Sequence, residues 1–152
     1  MKLEEAIKQT TFQSDYQKAT LNLMYTNNWL VNQIRSLLKG YGITMQQYNV
    51  LRILRGQFPN PISTAAIRER MLDKMSDASR IVDRLYKKRL LKRNTCPNDK
   101  RLVDVVVSKK GLTLLKLMDR EVLLLDELLS PLSCEEVKLL NHLLDKIREG
   151  RE

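Results

Sequence analysis

The chain has 152 residues, 43% hydrophobic and 30% charged, which suits one domain with a real core or a small domain with helical extensions, and is too apolar for disorder. No apolar run approaches the ~18 residues of a membrane span, the mixed-charge start has no apolar signal region, and two cysteines are too few for a disulfide scaffold. A reducing cytoplasm is therefore the expected compartment, and the net charge of +9 points to a polyanionic partner or a solvated surface.

That charge is unevenly spread. Residues 41–110 hold 16 Lys/Arg against 6 Asp/Glu, a net of +10, whereas residues 1–40 and 111–152 carry nets of +2 and −3. The expected organisation follows the same division: an N-terminal helix over 1–40, a basic domain over 41–110 and C-terminal helices over 111–152.

In chain order, Ala19, Leu23, Leu30, Ile34 and Leu37 recur at helix spacing, so a helix is predicted from about Asp15 to Leu38, with Gly40 and Gly42 ending it. Thr44 and Gln47 form a capping box before a short helix with Tyr48, Leu51 and Leu54 inward; Pro59-Asn60-Pro61 closes it. Ser63 caps a helix to about Leu72, with Ala66, Ile67 and Met71 inward. After a break at 72–74 the next helix is predicted over Met75–Lys88, capped by Asp73 or Ser76.

The segments Leu90–Thr95 and Arg101–Ser108 are β-branched and partly alternating, and Cys96-Pro97-Asn98-Asp99-Lys100 between them has turn chemistry. Together they predict a β-hairpin. From Lys110 to about Leu129 a helix is apolar on more than one side, which asks for cover from a second chain. Pro131 breaks it, and Ser133 with Glu136 starts a last helix with Val137, Leu140, Leu143, Leu144 and Ile147 inward. The expected fold is thus mainly α with a small β-hairpin wing: a winged helix-turn-helix with N- and C-terminal dimerisation helices.

The helix over 75–88 carries the strongest functional signal. At about 100° per residue, Met75, Ala78, Ile81, Val82 and Leu85 share one arc, while Ser76, Asp77, Ser79, Arg80, Asp83, Arg84 and Lys87 occupy the remainder. Short hydroxyls followed by guanidinium and ammonium groups are what a helix needs to enter a major groove, fork onto guanine and meet phosphates. An amphipathic helix with a solvated basic face would show the same periodicity. The hairpin shifts the balance: Lys92, Arg93, Lys100 and Arg101 gather at its ends and tip, and a basic wing suits a narrow minor groove. Asp99 could hold Arg101 extended. Ser63 and Thr64, opening the preceding helix, join the candidate DNA contacts.

These segments resemble the MarR family of transcriptional regulators. Ile43–Leu51 looks like the opening helix of its DNA-binding domain, Ser79–Lys88 like its recognition helix, and Leu90–Arg93, Asp99–Arg101 and Ser108–Gly111 like its wing and wing exit. The resemblance covers roughly Ile43 to Leu115. It implies a homodimer on a palindromic operator, usually with a ligand or redox switch, with Arg101 in the minor groove and Ser76, Asp77, Ser79, Arg80 and Arg84 on or near the major groove. Arg89 departs from the pattern where the family usually has Gly, and Lys100 stands where Arg is common.

Other sites are weak. A redox switch at Cys96 or Cys134 is open but not expected: a thiol sensor needs an accessible thiolate of low pKa, and the peroxide-sensing branch of the family that this chain resembles keeps its reactive Cys in the first helix, where this chain has none. His142, the single histidine, has no second His or Cys at ligand spacing, so no metal and no cofactor are expected. No nucleophile–base pair or phosphate loop supports an enzyme. Tyr25, Trp29 and Tyr48 could line a small-molecule effector pocket, but core packing is the expected role of each. The expected function is a sequence-specific DNA-binding regulator, a repressor by family default. The alternatives are a winged-helix protein-interaction module and a non-specific architectural DNA binder.

Overall fold

The computed structural model describes residues 1–96 and 99–149, and their side chains outside 94–103. The described elements run α1 (Leu3–Ile7), α2 (Asp15–Lys39), α3 (Met45–Gln57), β1 (Ile62–Ser63), α4 (Thr64–Arg70), α5 (Ala78–Lys87), β2 (Leu91–Cys96), β3 (Asp99–Val107), α6 (Lys109–Asp126), a 3₁₀ turn (Glu127–Leu129) and α7 (Cys134–Arg148). The strands form one antiparallel sheet in the order β1-β3-β2. This is the winged helix-turn-helix arrangement that the sequence pattern predicts.

The helix starts are set by side-chain caps. Ser14 accepts from the Gln17 N–H, Thr44 from Gln47, Ser63 from Ala66, Asp77 from Arg80 and Ser133 from Glu136, each at 3.0–3.3 Å. At Thr44 and Ser133 the capping boxes close reciprocally, through Gln47 and Glu136.

Two compact units divide the chain at Leu112/Thr113. In residues 1–112 the core is built where α3, α4, α5 and the sheet pack together. Val50, Leu51 and Leu54 of α3 meet Ile67 and Met71, then Ala78, Val82 and Leu85 of α5, and Val105 and Val107 of β3, all buried. Each large side chain buried this way contributes about 1.5–3 kcal/mol. Tyr48, expected inward, is half-buried, and Val50 takes the inward place. Gln47 is also buried; its amide oxygen accepts from the Thr44 N–H at 3.2 Å and from Lys88 Nζ at 3.4 Å. Helix α1 lies outside the predicted elements; Lys18 Nζ pairs with its Glu4 at 2.5 Å.

In residues 113–152, α7 has no buried residue. Leu139, Leu143 and Ile147 on it, and Leu117, Leu123 and Leu124 on α6, are exposed large apolar side chains. The inward roles expected of Leu143 and Ile147 are therefore not met within a single chain.

Candidate nucleic-acid interface

The candidate residues gather on the turn 72–77, helix α5 and the root of the wing. The sequence pattern starts the recognition helix at Met75, but the structure starts α5 at Ala78 with Asp77 as its cap. The reason is Asp73. Its carboxylate accepts the Met75 N–H at 3.0 Å and the Ser76 hydroxyl at 2.7 Å. A short polar side chain closing a local turn competes with helix in this way. Those two hydrogen bonds, the Ser76 hydroxyl first, hold the Asp73 carboxyl below its ordinary value.

Three expectations change as a result. Ser76 lies in the turn and Asp77 at the cap, so neither is on the helix. Met75, expected inward, is 94% exposed.

From Ala78 onward the helix behaves as the periodicity requires. Ala78, Val82 and Leu85 are buried, while Ser79, Arg80, Arg84 and Lys87 are exposed. Two open grooves flank its first turn. One, of about 890 Å³, is lined from α4 by Thr64, Ala65, Arg68 and Glu69 and from the other side by residues 74–79. The other, of about 250 Å³, lies between Thr44 and Gln46 of the α3 start and Arg80 and Arg84. Ser63, by contrast, is committed twice: it ends β1, paired with Asp104, and its hydroxyl caps α4. Thr64 lines the larger groove.

The wing is tied to the helix. Arg93 pairs with Asp83 of α5, and its guanidinium stacks 4.3 Å from the centre of the Tyr86 ring. Lys92 is exposed. Pairing runs from Leu91↔Val107 to Thr95↔Val103. The candidate side chains of Asp99, Lys100 and Arg101, and that of Cys96, lie outside the described residues. Strand β1, which pairs Ile62 with Val105 and Ser63 with Asp104, is absent from the predicted elements because two residues cannot display alternation.

The helix–wing junction explains the departure at Arg89. Arg89 has φ 60°, the left-handed conformation that glycine adopts freely. Its N–H donates to the Tyr86 carbonyl at 2.8 Å, and the Leu90 N–H donates to the Leu85 carbonyl at 3.0 Å. These are the two hydrogen bonds of a Schellman cap, with Leu85 and Leu90 both buried beneath it. The exit geometry is thus the one a glycine would give, held by an arginine. Ser108, between β3 and α6, locks it: its hydroxyl donates to the Arg89 carbonyl at 2.8 Å, and its N–H to the Leu90 carbonyl at 3.1 Å. Gly111 packs so tightly that a Cβ there would overlap the Leu90 carbonyl oxygen.

Tyr25 and Trp29, expected in the core, are 38% and 40% exposed. With Leu3, Asn22 and Thr26 they line an open cavity of about 350 Å³. Tyr48 instead receives a hydrogen bond from Arg52 Nη1 at 3.1 Å. Cys134 is exposed. Among the described residues, no group of His, Cys, Asp and Glu could hold a metal ion, and no helix is long and apolar enough to cross a membrane.

Comparison with known proteins decides the family. Residues 43–103 match the MarR family. A MarR transcription factor from Planctomyces limnophilus is 30% identical, with 89% of this chain and 98% of that one covered and a TM-score of 0.69. The chain belongs to the MarR family. The HTH-type transcriptional regulator MhqR of Bacillus subtilis (strain 168) is 28% identical over 108 residues, covering 70% of this chain and 73% of MhqR. A cysteine-to-serine mutant of E. coli MarR complexed with operator DNA is 24% identical, covers 91% of this chain and 99% of its own, and shares the fold with a TM-score of 0.75. MarR proteins are DNA-binding transcription regulators rather than enzymes, and this chain is one of them.

Proposed function

We propose that this MarR protein is a homodimeric repressor that binds a palindromic operator and is released by a small molecule. One observation carries the reading: Ser79, Arg80, Arg84 and Lys87 stand together on the solvent face of α5, while the opposite face is locked in the core. Arg80 and Arg84 offer forked donors to guanine or phosphate, and the helix start with Ser76 and Asp77 approaches the base edges. Thr64 and Lys92 flank that helix, with Ser63 holding α4 in place. Lys100 and Arg101 at the wing tip would reach the minor groove, with Asp99 orienting Arg101.

A dimer is supported by the exposed leucines of α6 and α7. Such surface requires cover, and two copies would place two α5 helices about one helical turn apart, roughly 34 Å. Residues 41–110 would then read DNA, and 1–40 with 111–152 would hold the pair. Tyr25 and Trp29, beside their cavity, are the candidate effector contacts.

The test is selection of bound sequences from a random duplex pool, followed by footprinting. A two-fold-symmetric site, bound far more tightly than random duplex and progressively weakened by salt, is the expected result. Equal binding to every duplex would favour an architectural role, and no duplex binding would favour a protein partner.

A further inference from the structure

Met75 is an oily side chain held in water. It is 94% exposed and sits three residues before the first turn of α5. It is not there through slack: its own N–H and the Ser76 hydroxyl are both fixed by the Asp73 carboxylate. The turn therefore fixes the backbone from which the thioether projects. Leu72, nearby, is also exposed at 83%, but only Met75 lines the groove between α4 and the start of α5, beside Ser76, Asp77 and Ser79. Two charges of each sign share that groove, Arg68 and Lys74 against Glu69 and Asp77. The charges of the groove balance, Asp77 serving as the helix cap, and the positive face lies beside it along α5, through Arg80 and Arg84.

A duplex is the partner that this basic helix face fits, and its major groove offers one purely apolar feature on the base edges, the C5-methyl group of thymine. A flexible, polarisable methionine is well suited to cover it. We infer that Met75 is a specificity-determining residue that reads a thymine methyl in each half-site. The inference rests on the DNA-reading face proposed above.

The experiment replaces each thymine of the selected duplex, one at a time, with uracil, which lacks only the methyl group. Binding is measured by fluorescence anisotropy for the full-length wild type and for Met75→Ala. At one symmetric position uracil should weaken the wild type about threefold to fivefold, the effect of one buried methyl. Met75→Ala should lose a similar factor on the thymine duplex and be indifferent to uracil at that position. Because the side chain is solvent-exposed, the variant should keep the wild-type circular dichroism and molecular mass. If selective binding is retained but no uracil position distinguishes the two proteins, the inference is overturned alone. A changed mass for Met75→Ala would assign the side chain to a protein contact and overturn it as well. If the wild type selects no sequence, the proposed function fails and takes this inference with it.

Discussion

Arg93 and Tyr86 stack across the junction between the wing and α5, with the guanidinium 4.3 Å from the ring centre and Asp83 pairing with its charge. A surface ion pair of this kind contributes about 0–1 kcal/mol and the stacking about 0.5–1 kcal/mol. That is enough to bias the root of the wing severalfold toward one orientation. Sequence alone places Arg93 among the DNA contacts; because its guanidinium is engaged by Asp83 and Tyr86, we propose that it also positions the wing. Arg93→Ala should weaken operator binding about tenfold without changing the slope of log K against log salt, since no phosphate contact is lost. Asp83→Asn combined with Arg93→Ala should be no worse than Arg93→Ala alone.

Arg80 and Arg101 should behave differently. Arg80→Ala is expected to cost about 1–3 kcal/mol of operator affinity and to relax selectivity at one position. Arg101→Ala should weaken binding most on sites with narrow A·T-rich minor grooves. Both should remain dimeric by analytical ultracentrifugation. Unchanged affinity in either would remove that residue from the interface.

The junction makes two stability predictions of opposite sign. Arg89→Gly relieves a left-handed non-glycine residue and should stabilise by about 1 kcal/mol, read as a higher urea midpoint with an unchanged m-value. Gly111→Ala forces a methyl group into the Leu90 carbonyl and should destabilise by about 1–3 kcal/mol.

Asp73 supplies a pH prediction. Its folded-state value is lowered by the Ser76 hydroxyl and the Met75 N–H. The stabilisation is therefore complete above the ordinary value of 3.8 and disappears as acid titrates the carboxylate through its lower folded value. Carboxyl NMR titration should place Asp73 below its ordinary value in the wild type and nearer to it in Ser76→Ala.

The apolar surface of the C-terminal unit predicts the assembly. Leu139→Lys with Leu143→Lys should convert a two-chain species at micromolar concentration into single chains. A wild type that sediments as one chain at that concentration would refute the dimer.

Much of this is legible in the sequence because it repeats. The periodicity of α5, the capping boxes at Thr44 and Ser133, and the β-branched runs of the wing strands each need only local spacing. What the spacing does not show depends on non-local or competing contacts. Asp73 closes its own turn and so delays the helix by three residues, which turns Met75 outward. Strand β1 exists only because β3 lies beside it. Arg89 is an uncommon side chain for its backbone conformation, and the Ser108 and Gly111 contacts that hold it there come from about twenty residues further along the chain. Residue type alone assigns the aromatic pair Tyr25 and Trp29 to the core, yet the described residues leave both more than a third exposed.

A C-terminal helix with no buried side chain has a consequence for dosage. A helix of 15 residues is marginal in water by itself, so on the dimeric reading its order depends on a sister molecule being present. Below the dissociation constant of the pair, the number of assembled readers would rise with the square of the amount synthesised. A gene under such control would respond to a modest change in protein abundance as to a threshold.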